Sequence, residues 1–155
     1  MSTPTYEQDF YAWALESARG LRERRFADID IEHIAEELED MGKSRSRALE
    51  SQLARLLAHL LKWAHQPEQR WRYQHSWRAA IDSARLEIEG ILEENPGLKP
   101  RLPEFLGKAY PKGVKGAVAE TNLPEATFPE ICPWELQQVL GSPFLPVWLG
   151  APWCS

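Results

Sequence analysis

The chain has 155 residues, 43% of them hydrophobic, and a formal net charge of −5. That is the size of one ordinary domain, 1–155, able to bury about two-thirds of its unfolded surface without a disulfide or metal to help it fold. The negative charge argues against bulk attraction to DNA or RNA, and no stretch approaches the ~20 apolar residues of a membrane span. Only two cysteines are present, Cys132 and Cys154, with no C-x-x-C spacing, so neither a disulfide framework nor a structural zinc site is expected. Residues 1–9 lack a basic region followed by an apolar core, so no secretory signal is read there and a cytoplasmic chain is expected. No cofactor and no metal are predicted.

The first helix is expected from about Thr5 to Arg24, with Thr5 as its cap and Gln8 in the capping-box position. Tyr6, Phe10, Trp13, Ala14, Ser17 and Leu21 form one stripe at helical spacing. A second helix is expected after Asp28 or Asp30, with Ile31, Ile34, Ala35, Leu38 and Met41 as its buried face. Leu49, Leu53, Leu56, Leu57, Leu60 and Ala64 form another such face. At ~100° per residue the two runs are in phase, which predicts one long helix ending at Gln66, before Pro67. Gly42-Lys43-Ser44 predicts a kink within it, since glycine costs ~1 kcal/mol against alanine in a helix interior.

The third helix starts at Glu68 or Ser76 and runs to Glu94, on the spacing of Trp77, Ile81, Ala84, Ile88 and Ile91. Asn95-Pro96-Gly97 ends it. A fourth begins near Pro100, with Leu102, Phe105, Leu106 and Ala109 as its apolar face. Pro111 should kink or split it. A loop is expected from Asn122 to Cys132, then a short helix from Pro133 to Leu140. The tail, 142–155, should drape over the body. No β pattern competes, so the predicted fold is all-α: an antiparallel bundle of about five helices with an irregular C-terminal tail.

Charge is unevenly distributed. Residues 28–40 hold seven acids and no Lys or Arg, whereas residues 43–78 hold eight bases and only two acids, Glu50 and Glu68. The plain reading is acids at the N-terminal dipole end of a helix and a solvated basic face beyond. The sharper one is a partner surface with a steering field. His33, Glu37 and Asp40 share one side of the second helix and could offer metal ligands, but the paired Glu-x-x-His pattern of di-iron bundles is missing. His59 borders the leucine face, one turn after Arg55 and one turn before Trp63. Its predicted companions in a pocket are Glu36, Glu37, Lys62, Trp63 and Trp77. A histidine there is either a hydrogen-bonded packing residue or, given a carboxylate within reach, a group for acid–base work. No Gly-rich phosphate loop and no nucleophile elbow are present.

Several strings, taken together and in order, resemble a known family. They are residues 6–13 (YEQDFYAW), 34–44 (IAEELEDMGKS) and 56–63 (LLAHLLKW). Gln66-Pro67, Ser76-Trp77, Leu123-Pro124, Thr127-Phe128-Pro129 and Cys132-Pro133-Trp134 follow. The chain is similar over about 5–146 to the bacterial domain of unknown function 29 family. The resemblance implies an all-helical bacterial cytoplasmic protein and no particular activity. The family looks helical at residues 108–116, where this chain has Pro111 among glycines, which puts an unbroken fourth helix in question.

Two functional readings follow. One is a non-enzymatic interaction module acting on a protein partner or as a homo-oligomer, motivated by the charged zones, the seven tryptophans and the apolar tail. The alternative is a small-ligand or metal-binding protein, an enzyme included, with its pocket near His59. Weak nucleic-acid binding through the basic stretch ranks last.

Overall fold

A computed structural model of the chain describes residues 5–147. Five α-helices follow one another: α1 (Phe10–Arg22), α2 (Ile31–His65), α3 (Pro67–Glu94), α4 (Leu102–Thr121) and α5 (Leu136–Leu140). Short 3₁₀ segments lie at Phe26–Asp28, Pro96–Arg101 and Glu125–Thr127, and no strand occurs among the described residues. The fold is all-α. The chain divides between Ser44 and Arg45 into two compact units, and α2 runs through the division.

In the first unit, α1 starts at Phe10, later than expected, because Asp9 rather than Thr5 caps it. The Asp9 carboxylate accepts from the Ala12 N–H at 3.0 Å, satisfying a donor that the first turn leaves open. Thr5 instead closes the preceding turn, its carbonyl accepting from the N–H groups of Gln8 and Asp9. Trp13, Ser17 and Gly20 form the buried side of α1, while Phe10 and Leu21 of the expected stripe are exposed. Gly20 is required there: a Cβ at that position would lie 2.3 Å from Ile29 Cγ2. Arg24, in the left-handed region at φ 59°, ends the helix.

α2 is unbroken for 35 residues and passes Gly42 without interruption. Its second half is the centre of the second unit. Leu49, Leu53, Leu56, Leu57, Leu60, Leu61 and Ala64 are fully buried, in one cluster with Ile81, Ala84 and Ile88 of α3 and Phe105, Ala109, Val114 and Ala117 of α4. The first half behaves differently. Ile31, Leu38 and Met41, expected to be buried, are 56%, 63% and 66% exposed. The periodicity was therefore a guide to which residues align, and not to whether anything covers them.

α3 takes the earlier of its two expected starts, with Pro67 in the first turn, where the missing proline donor costs nothing. α4 continues past Pro111 as one helix, correcting the expected split. Pro111 is exposed, and the buried face continues on both sides of it as Phe105, Ala109, Tyr110, Gly113, Val114 and Ala117. Packing of that face offsets the ~3 kcal/mol that an interior proline costs. Gly113 lets α4 approach α2 closely: a Cβ there would lie 2.9 Å from Leu57 Cβ and 3.1 Å from the Ala54 carbonyl oxygen. The Tyr110 hydroxyl donates to the Pro129 carbonyl at 2.6 Å and pins the following loop.

The last helix is shorter than expected, beginning at Leu136 behind a Glu135–Gln138 capping box. Phe144 and Leu145 pack against the core. The buried Arg85 guanidinium donates to the carbonyls of Val139 at 3.0 Å, Gln138 at 3.4 Å and Phe144 at 2.9 Å, which ties α3 to the end of α5 and the segment after it. Trp148, Leu149, Trp153 and Cys154 lie outside the described residues.

Candidate functional site

The first unit carries a cluster built on Tyr6 and His33. The Tyr6 ring stacks on the His33 imidazole, with centroids 4.4 Å apart and planes 14° apart, and Trp13 meets Tyr6 edge-on at 4.9 Å. The Tyr6 hydroxyl donates to the Glu37 carboxylate. That bond pushes the phenol up to about 12, with burial and the charges of Glu37, Asp40 and Glu36 acting in the same direction. Asp30 hydrogen-bonds the His33 ring at Nδ1 and accepts from the His33 backbone N–H at 3.2 Å. The imidazole is thereby raised above its ordinary value and the Asp30 carboxyl lowered.

Tyr6, Trp13, Asp30 and His33, with Glu7, Glu16, Ser17 and Arg25, line a cleft of about 670 Å³. Arg25 is held by Glu23 at 2.6 Å, Glu16 at 3.4 Å and Asp28 at 3.8 Å. Tyr6, Arg25, Asp30 and His33 are thus each engaged with a neighbouring side chain, and the Asp30 contact favours the protonated form of His33. Of the possible ligand set His33, Glu37 and Asp40, His33 goes to Asp30 and Glu37 to Tyr6. Among the described residues no three His, Cys, Asp or Glu side chains are grouped to hold a metal ion.

The pocket expected around His59 separates into parts. His59 is half-buried and its Nδ1–H donates to the Arg55 carbonyl at 2.9 Å. Burial lowers the imidazole pKa, opposed by the Arg55 bond and assisted by the charge of Lys62, so the neutral ring is favoured. Lys62 is itself buried. Its ammonium lies 5.5 Å from the Trp77 ring centroid and 2.5 Å from the Glu120 carboxylate, and Lys62 hydrogen bonding lowers Glu120 below the usual carboxylate value. Lys62 and Trp77 line a cleft of about 440 Å³ together with Gln66, Gln69, Tyr73, Glu120 and Thr121.

Trp63 is engaged elsewhere, with the Arg70 guanidinium 5.2 Å from its ring and donating to its carbonyl at 2.7 Å. Glu36 and Glu37 lie about six turns earlier on α2, in the other compact unit, with Glu37 bonded to Tyr6. The fold therefore joins Lys62 and Trp77, keeps His59 within electrostatic reach of Lys62 and Glu120, and engages Trp63 with Arg70 and Glu37 with Tyr6. Glu120 and Tyr73 were missed. Glu120 is 58 residues from Lys62 in the chain, and no local pattern connects them.

Two outward faces complete the inventory. On α2 of the first unit, Ile31, Leu38 and Met41 lie exposed among Glu32, Glu36, Glu39 and Asp40, all exposed as well. On α3 of the second unit, Trp71 is 76% exposed, near exposed Arg72, His75 and Arg78.

The family model described as "Domain of unknown function DUF29" matches residues 5–145. The chain belongs to the DUF29 family. Neither the curated proteins nor the solved structures compared with it give a match. The matched region of this DUF29 domain takes in most of each unit, and the Tyr6–His33 cluster and the Lys62–Trp77 cleft lie inside it. Among the described residues no helix of the DUF29 chain is long and apolar enough to cross a membrane.

Proposed function

We propose that this DUF29 chain is a protein-interaction module whose contact surface is the outward apolar stripe of α2 in the first unit. One observation carries the reading. Ile31, Leu38 and Met41 are more than half exposed, although they continue a helical stripe whose later residues are fully buried. Ile34 belongs to the same stripe, at i+3 from Ile31. Large apolar side chains gathered on one exposed face mark interaction sites more often than singly scattered ones do. Burying such a side chain against a partner is worth about 1.5–3 kcal/mol. The bordering carboxylates would form a polar rim that selects the partner. The Tyr6–Glu37 hydrogen bond and the Tyr6–His33 stack support this role by holding the N-terminal segment against α2.

A photo-crosslinking residue at position 38 tests the reading. Adducts are expected at position 38, should weaken in Met41→Glu, and should be absent from a control position on the polar side such as Glu36. Equal labelling at 38 and 36 would sink it.

A second reading rests on the Lys62–Trp77 cleft. A buried ammonium, an aromatic wall and two glutamines converge there, as in small-molecule sites that combine apolar walls with a few placed polar groups. Native mass spectrometry of the purified chain and of Lys62→Met tests it. A bound mass present in the first and lost in the second supports the reading, and identical spectra remove it.

A further inference from the structure

The cleft beside Tyr6 and His33 lies wholly within the first unit, and its lining is not electrically balanced. The carboxylates of Glu7, Glu16, Asp28 and Asp30 line it, against only two bases, Arg25 and His33. With both bases counted as cations, the four carboxylates exceed them by two. Arg25 makes its shortest contact outside this lining, to Glu23 at 2.6 Å. Asp28 is left 3.8 Å from the guanidinium, beyond hydrogen-bond reach. His33 reports the sign of the field. The Asp30 bond raises it first, and the charges of Asp30, Glu36 and Glu7 then act the same way against the effect of burial, as a negative local potential does.

A second observation comes from the buried side of α1. Ser17 is only 7% exposed, yet it lines the cleft. Among the described residues its hydroxyl has no hydrogen-bond partner. Buried polar groups are ordinarily hydrogen-bonded, so the Ser17 oxygen is a spare acceptor at the bottom of the cleft. Trp13, one turn before it, and Ile29 add an apolar wall.

We propose that this cleft binds a small aliphatic amine carrying two or more ammonium groups, a di- or polyamine. Each ammonium has three N–H donors and no acceptor. The Ser17 oxygen and the carboxylates of Glu7 and Asp28 are acceptors only or can act as such, and bonds between ionised partners are the strong ones. Two ammonium charges match the surplus of two carboxylates. The methylenes between them lie on Trp13 and Ile29, as the stems of long cationic side chains lie on apolar surface. A bare metal ion is not the fit, because no three His, Cys, Asp or Glu side chains among the described residues are grouped to hold one. Nor is a quaternary ammonium, which needs open aromatic faces. One face of Tyr6 is covered by His33 at 4.4 Å, and Trp13 is only 6% exposed. The site is separate from the α2 stripe, and its test is independent of the crosslinking at position 38.

Isothermal titration calorimetry at physiological ionic strength tests it, with spermidine as the probe. The native chain should bind spermidine saturably at one site. Glu7→Gln with Asp28→Asn should lower the affinity about tenfold or more, the scale of ~1.4 kcal/mol. Ser17→Ala should lower it several-fold. Glu32→Gln with Glu39→Gln removes the same charge from exposed positions on α2 outside the cleft, and should leave the affinity within about twofold, a few tenths of a kcal/mol. Circular dichroism of each variant should show native helicity. Nα-acetyl-lysine amide, with one ammonium, should bind at least about tenfold more weakly than spermidine, and tetramethylammonium should not displace it.

Absence of saturable spermidine binding overturns the inference. Equal losses in the two charge pairs would show diffuse attraction to an acidic chain and overturn it too, as would unchanged affinity in Ser17→Ala. Displacement by magnesium at comparable concentration would assign the cleft to any cation. Acetyl-lysine amide binding as tightly as spermidine would make it a site for a single side-chain ammonium. Either result removes the polyamine.

Discussion

Leu38 and Leu56 are in phase by helical period, yet Leu38 is 63% exposed and Leu56 has no exposed surface at all. They are eighteen residues apart, five whole turns at 3.6 residues per turn. The contrast predicts opposite costs for one chemical change. Leu56→Ala should destabilise the second unit by about 2–5 kcal/mol, through lost burial and an unfilled cavity. Leu38→Ala should change the stability of the dilute chain by less than about 0.5 kcal/mol. Urea unfolding of both variants measures this. A comparable loss in each would mean that Leu38 is covered within the chain.

Gly42 and Gly113 are both helical, and alanine is expected to act oppositely at the two. At Gly113 the added methyl would lie 2.9 Å from Leu57 Cβ and 3.1 Å from the Ala54 carbonyl oxygen, so α4 must shift away from α2, at a cost of about 1–3 kcal/mol. At Gly42 a Cβ meets nothing within 4 Å, and Gly42→Ala should stabilise by up to ~1 kcal/mol through helix propensity. Melting curves that move in the same direction for both would refute the packing assigned to Gly113.

His33 and His59 should titrate on opposite sides of the ordinary value near 6.5. Asp30 raises His33, and burial lowers His59. For His33 the folded value lies above the unfolded one, so its contribution to stability is full below about pH 6.5 and is lost as pH rises through the raised folded value. For His59 the folded value lies below, so stability is lost as pH falls beneath about 6.5, until the lowered folded value is reached. NMR titration of the imidazoles checks both. Asp30→Asn should bring His33 back toward 6.5 and leave His59 where it was, and an unmoved His33 would contradict the assigned cause.

Arg85 donates to three carbonyls at the end of α5 and beyond. Arg85→Met keeps much of the stem and removes every donor, leaving the buried Val139 carbonyl without the Arg85 donor. A loss of about 1–3 kcal/mol is expected, with faster hydrogen exchange confined to residues 136–145. Uniformly faster exchange over the whole second unit would show instead that Arg85 supports the core at large.

Helix existence was legible in the sequence because an α-helix is local. The three-and-four spacing of Trp77, Ile81, Ala84 and Ile88, the Asn95-Pro96-Gly97 stop and the in-phase leucines of α2 each act within a few residues. Caps were legible less reliably: Thr5 and Asp9 can both accept an N-terminal N–H, and the fold uses the Asp9 carboxylate while the Thr5 carbonyl closes the preceding turn. The sequence alone also set the charge asymmetry along the chain.

Burial and partnership required tertiary structure. Ile31 and Leu49 are equivalent by period, and only the packing of α3 and α4 decides that Leu49 is covered while Ile31 is exposed. Pro111 carries a fixed local penalty, and only the buried face on both sides of it decides that α4 continues. Glu37 and His59 were both candidates for one pocket, and each bonds elsewhere: Glu37 with Tyr6, 31 residues away, and His59 with the Arg55 carbonyl. Lys62 found Glu120 across 58 residues, a distance over which sequence pattern carries no pairing information and only chain folding brings two charges together.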